Sequence, residues 1–323
     1  VVFSYIGPVA QTAIVPPGAG AVDVRVTGGR GGGTWPYEDH SGAYVTGGDG
    51  AQVSGQIAVS PGEIMTLRVA GFGGDADAEF QPGKGGWGAT GYGGRGGSGS
   101  HGDGGGGGGA TSIEIRGETV VIAGGGGAGG GRGFTVGVDA GGPGGSSGAT
   151  VDPGHNGKGP GAGKGGGGAG HGEPAGGIGG KGSYTGGGGG GGGAGATGGS
   201  GGGGGGFGGG GGGGGGAGSS RYTSRLEAPS VVRAGLNDGN GLVFLTWVEV
   251  TPARFGHCDI RSRWQQKATG PAGGLLPWCA CGQVMVRIAS ASLLRSLGSA
   301  VAEPVPATSR TRALGVPAVK ATV

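Results

Sequence analysis

GGGGGGATSIEIRGETVVIAGGGGAGGG, residues 104–131, is the stretch on which the fold turns. Ala110–Arg116 and Thr119–Ala123 are short and rich in β-branched residues, and Gly117-Glu118 between them supplies a turn. A β-hairpin is therefore flanked on both sides by glycine runs, and glycine so placed is an insert in a folded domain rather than a free tail. The pattern recurs outward from this hairpin. In Ala21–Thr27, Val22, Val24 and Val26 share one face while Asp23, Arg25 and Thr27 share the other, which is the period of a half-buried strand. Gly50–Val59 and Ile64–Ala70 make a second hairpin about Ser60-Pro61-Gly62-Glu63. Val1–Ile6 and Thr12–Val15 read as further short strands, and Pro16-Pro17-Gly18 ends the latter. Gly241–Val250 follows the last glycine run; Leu242 and Phe244 alternate with Val243, Leu245 and Trp247, so a strand apolar on both faces is expected inside a sheet. No stretch before residue 251 has helical periodicity, and seven or so short strands with turn signals predict an all-β sandwich.

All but seven of the 102 glycines precede Thr251. Glycine at a third of a chain suggests collagen, but long runs such as Gly186–Gly193 and Gly208–Gly216 break a three-residue register, and with only 17 prolines collagen is excluded. Residues 1–250 carry 13 basic and 17 acidic side chains, a net of −4, which argues against a polyanion-binding surface and against nucleic acid as a partner. Residues 251–323 carry 9 basic and 2 acidic side chains. Cys258, Cys279 and Cys281 all lie in this second part, so the first 250 residues need neither disulfides nor thiolate metal sites. The sequence has no apolar stretch of about 20 residues that would span a membrane. The chain begins at Val1 within an apolar segment, without a signal peptide, and an incomplete N-terminus is expected.

Ordering a glycine backbone costs about 1–2 kcal/mol per residue and buries no side chain, so an isolated glycine run stays disordered. The alternative is a packed array of extended helices of about three residues per turn, which make no internal hydrogen bonds and turn every N–H and C=O toward a neighbour. Tyr184, Phe207, Ala194 and Lys181 would then sit at the surface of the array or at its turns.

The order of these segments resembles the extracellular glycine-rich domain of the anaplastic lymphoma kinase and leukocyte tyrosine kinase receptors. The resemblance rests on Val15-Pro16-Pro17-Gly18 with VDVRVTGGRGGG (residues 22–33), GGDGAQVSGQIAVSPGE (47–63), GGGGGGATSIEIR (104–116), TVVIAGGGGAGGG (119–131), GGGGAGSSRY (213–222) and NDGNGLVFLTW (237–247). It covers about residues 1–250. It implies a tumour-necrosis-factor-like jelly-roll β-sandwich, with strands mainly in 1–70, 110–123 and 240–250. It also implies a polyglycine-II-helix insert over about 71–109 and 124–218, and an extracellular, secreted or surface location. The sequence has no kinase domain, and the resemblance transfers no ligand-contact residue.

Several motifs weaken on inspection. GPGAGKGG (159–166) approaches a phosphate-binding loop, yet Gly165 stands where a magnesium-binding Ser or Thr belongs. Arg30, Arg95 and Arg132 lie in Gly-Arg-Gly contexts, too few for an arginine–glycine RNA-binding segment. His40, His101, His155 and His171 are isolated, and Asp75, Asp77 and Glu79 lack the spacing of a calcium loop. No catalytic constellation stands out, and no cofactor or metal is expected. The best candidate contact is the loop 34–40, where Trp35 and Tyr37 lie beside Glu38 and Asp39; it would meet a protein or glycan, or its aromatics would only cap the sandwich. Residues 251–323 are expected to be a largely disordered basic tail with one helix at 283–297. Three functions follow: a non-enzymatic structural or adhesive module, a ligand-binding ectodomain, or a low-complexity chain without a defined site.

Overall fold

A computed structural model describes residues 1–34, 44–76, 82–100, 102–133, 141–163, 166, 174–206, 210–234 and 239–249. The expected tail and its helix, with all three cysteines, lie outside these residues. The described residues form twelve strands where seven or so were expected: β1 (Val2–Ser4), β2 (Gln11–Ile14), β3 (Ala19–Thr27), β4 (Ala51–Ala58), β5 (Ile64–Arg68), β6 (Trp87–Gly88), β7 (Gly91–Tyr92), β8 (Thr111–Ile115), β9 (Glu118–Ala123), β10 (Arg221–Tyr222), β11 (Leu226–Arg233) and β12 (Leu242–Glu249). Among the described residues there is no helix.

Two five-stranded antiparallel sheets, β1-β12-β3-β4-β11 and β10-β9-β8-β5-β2, form a sandwich, and β6 pairs with β7 in a separate ribbon. The alternation in Ala21–Thr27 decides the packing. Val22, Val24 and Val26 turn inward with Val53, Ile57, Val243 and Leu245, and meet Met65, Leu67, Ile113, Ile115 and Val120 of the second sheet. Asp23 and Arg25 stay outside. β12 lies between β1 and β3 as its apolar pattern predicts, although Phe244 on its outer face is 37% exposed.

The tight turns gather at one end. Gly62 and Gly117 take positive φ in the β4–β5 and β8–β9 turns. There Glu63, its side chain only 5% exposed, pairs with Arg116 at 2.7 Å and Arg225 at 3.7 Å. The glycine-rich segments leave from the opposite ends of the strands: 28–33 after β3, 47–50 before β4, 71–74 after β5, 104–109 before β8, 124–131 after β9 and 210–218 before β10. Segments 28–33 and 47–50 thus leave from the same end as those that fall within 71–109 and 124–218.

At this end the two layers merge. Packed sheets stand about 10 Å apart because side chains fill the gap, whereas hydrogen-bonded strands stand about 4.8 Å apart. Without side chains the backbones of opposite sheets close to bonding distance. Ala51 N–H at the start of β4 donates to Gly124 C=O beyond β9 (2.8 Å), and Gly29 N–H beyond β3 donates to Gly109 C=O before β8 (3.0 Å). The fully buried Thr111 marks the seam: its hydroxyl donates to Thr27 C=O at 2.6 Å and accepts from Ala70 N–H at 3.0 Å.

Candidate functional site

The glycine region has a bonding pattern with a period of three. In Gly104–Gly109, the N–H groups of 104 and 107 donate to Gly97 and Gly94, those of 105 and 108 to Gly129 and Gly126, and those of 106 and 109 to Gly74 and Gly71. The carbonyls of 104 and 107 accept from Gly83 and Gly86, those of 105 and 108 from Gly191 and Ala194, and those of 106 and 109 from Gly32 and Gly29. Every backbone group of the run is used, at 2.8–3.1 Å, on six surrounding segments. The run 187–193 is enclosed in the same way. Its N–H groups reach 210–216, 102–105 and 177–180, and its carbonyls accept from 199–205, 128–131 and 94–97. Glycine is required by proximity: a Cβ on Gly107 would overlap the carbonyl of Gly192, and one on Gly126 that of Gly48. Ala194, expected at the surface or at a turn, lies just before the bend at 195–197 and is fully buried, where it packs with Ala110 and Ile122. Tyr184 and Lys181 are exposed as expected, and Phe207 lies outside the described residues.

The candidate contact residues Trp35, Tyr37, Glu38 and Asp39 also lie outside the described residues. Thr34 and Val45 exchange backbone hydrogen bonds at 3.0 and 2.9 Å. Asp75 accepts from Gly33 N–H and from the Tyr44 hydroxyl, both at 2.7 Å. Burial, then the bond to the Asp75 carboxylate, pushes the Tyr44 phenol well above its ordinary range. Asp75 thus serves the backbone and a tyrosine, while Asp77 and Glu79 lie outside the described residues.

The remaining sequence candidates are scattered. His155 is exposed, and its backbone joins the array through Pro143 and Gly214. His40, His101, His171, Lys164 and Gly165 are outside the described residues. Arg30 approaches Asp49 at 3.9 Å, Arg132 bonds the Gly133 carbonyl, and Arg95 is exposed. Among the described residues no three His, Cys, Asp or Glu side chains come together to hold a metal ion, and no helix is long and apolar enough to cross a membrane.

One concave site does appear on the outer face of the first sheet. A groove of about 620 Å³ runs over Asp23, Arg25, Gln56, Glu227, Phe244 and Thr246. Gln56 donates to Asp23 at 2.8 Å, and the Arg25 guanidinium stands 6.0 Å over the Phe244 ring. The register that opposes Arg25 to Phe244 and Asp23 to Gln56 puts these groups together. The groove escaped the sequence because β11, which supplies Glu227, was not recognised: Pro229 interrupts it, and it bulges between Glu227 and Ser230 with Ala228 at φ 47°.

The chain also carries a local period of three that is not sustained along its length as in collagen. Outer segments such as GYGGRGGS (91–98) and AGGIGGKGSY (175–184) keep a Gly-Gly-x period over short windows, while the inner runs are nearly all glycine. No family model matches this chain, and no curated protein matches it.

Proposed function

We propose that the chain is a non-enzymatic structural or adhesive module, secreted or displayed at a surface. In this reading a jelly-roll sandwich of the tumour-necrosis-factor type carries a bundle of polyglycine-II helices. The observation that carries it is the run Gly104–Gly109, whose N–H and C=O groups are all spent on six neighbouring segments with a period of three. Three residues per turn and outward-facing backbone groups are the properties of such helices. The jelly-roll assignment is supported by the chain path, which passes between the two sheets after β1, β2, β4 and β10. Location outside the cell is supported by the resemblance to the receptor domains.

Net hydrogen-bond gains of about 0.5–1.5 kcal/mol each roughly offset an ordering cost of about 1–2 kcal/mol per residue. The bundle is therefore not stable alone and draws its order from the sandwich to which its segments are tied. Hydrogen exchange on the full chain tests this. The amides of Gly104–Gly109 are expected to exchange as slowly as those of β3, and far-ultraviolet circular dichroism to show one cooperative melt. Rapid exchange across the glycine runs, or a coil-like signal without a transition, would defeat the reading.

The groove over Asp23, Arg25, Gln56 and Phe244 favours a second reading, a ligand-binding ectodomain. A ligand perturbing the nuclear magnetic resonance signals of these residues, and losing affinity on Phe244→Ala, would support it.

A further inference from the structure

The outer glycine segments carry side chains at every third residue, and three neighbouring segments combine them into one face. Gly176, Gly179 and Gly182 donate to the carbonyls of Tyr92, Arg95 and Ser98 at 3.0, 2.8 and 2.8 Å. On the other flank, Gly93 and Gly96 donate to Gly86 and Gly83, both at 2.9 Å. Segment 93–97 also bonds to 104–107 and 189–192, which bond to these flanking segments in turn. Four of its sides are thus enclosed in succession, and the remaining side is where Tyr92, Arg95 and Ser98 emerge.

The flanking segments bring Lys84 on one side, and Ile178, Lys181 and Tyr184 on the other. Tyr92 is 56% exposed, Ile178 74% and Tyr184 82%, and Lys84, Arg95 and Lys181 are all exposed. Residues 83–98 and 174–206 contain no Asp or Glu. Five arginines elsewhere (Arg30, Arg68, Arg116, Arg225 and Arg233) face carboxylates within 4 Å. Lys84, Arg95 and Lys181 form no ion pair among the described residues. The net −4 of residues 1–250 conceals this segregation.

We propose that this face binds an anionic polysaccharide, a chain of uronic-acid sugars, through Lys84, Arg95 and Lys181, with Tyr92, Ile178 and Tyr184 covering the apolar faces of the sugar rings. The proposal rests on the threefold packing described above. Side chains recur about every 9 Å along each segment, and Lys84, Arg95 and Lys181 stand one to a segment across three neighbouring segments, so a chain laid across the face meets separate cations. A nucleic-acid duplex carries a phosphate about every 3.4 Å of each strand, far denser than three cations on a broad open face. Rings standing out from glycine suit flat sugar faces, which need no deep pocket.

The test is retention of the full chain on immobilised alginate at low salt, with neutral dextran as the control and single-stranded oligothymidine in parallel. The wild type is expected to bind alginate, to ignore dextran and to bind the oligonucleotide less well. K84A/R95A/K181A should weaken alginate binding about tenfold, as lost charge contacts require. K158A/R221A/R233A, which removes equal charge elsewhere, should change it little. Both variants keep the basic residues of 251–323, so that part of the chain cannot produce the difference. Equal losses in the two variants, or tighter binding to the oligonucleotide, would overturn the proposal. A wild type that ignores alginate while its Gly104–Gly109 amides exchange slowly overturns the proposal and leaves the packing intact. Fast exchange at those amides removes both.

Discussion

Gly107 shows how narrowly a single residue is constrained. Its N–H and C=O bond to Gly94 and Gly86, and a Cβ there would overlap the backbone of Gly192, which cannot rotate aside. Gly107→Ala is therefore expected to destabilise the chain by about 1–3 kcal/mol, the range for overpacking a closed interior. Ile178→Ala, at a position 74% exposed, should stay within about 0.5 kcal/mol of the wild type. Thermal melts of the two variants make the comparison. Tyr44 gives a pH-dependent counterpart. Its folded-state pKa is raised above the unfolded value of 10.0, so its contribution is complete below pH 10 and is lost as the pH rises further. Tyr44→Phe should flatten the fall of stability above pH 10, and an ultraviolet titration should find one tyrosine that resists ionisation.

At the scale of elements, the seam between strands and glycine segments carries the most consequence. Thr111 is the last side chain in β8 before the layers merge, and its hydroxyl serves one backbone group from each sheet. Thr111→Val keeps the shape but leaves the buried Ala70 N–H without its acceptor, at about 1–3 kcal/mol for an orphaned group. Denaturant midpoints should show the loss, with slower strands retained and faster exchange in Gly28–Gly33 and Gly104–Gly109. The strands that meet at this seam were legible in the sequence: Ala21–Thr27, the hairpin at 110–123 and Gly241–Val250 each carry a complete apolar face. β11 was not, since only Leu226 and the partly buried Val231 face the core and its remaining residues are exposed. β6 and β7, two residues each, carry no period at all. The cationic face was illegible for a different reason. Lys84, Arg95 and Lys181 are far apart in sequence, and only the pairing of otherwise identical glycine segments makes them neighbours. The loop expected at 34–40 stood out by composition alone, which says nothing of what its side chains meet.

Across the whole molecule, two kinds of order share one set of chain segments. The sandwich is specified by side chains, and the glycine array by their absence. A run made only of glycine fits its surroundings equally well when it advances by one residue and turns by a third of a revolution. Such a run has no reading frame. Segment 175–184 has one, because Ile178, Lys181 and Tyr184 must all return to the open side. One glycine inserted between Gly179 and Gly180 should swing Lys181 and Tyr184 toward the packed backbones and depress the melting temperature, whereas three inserted there should restore much of it. One glycine added at the start of Gly208–Gly216 should be nearly silent, and melts of the three insertions would show it. Copying errors in glycine codons would therefore be filtered unequally along this gene: the inner runs free to drift in length, the outer segments held to multiples of three.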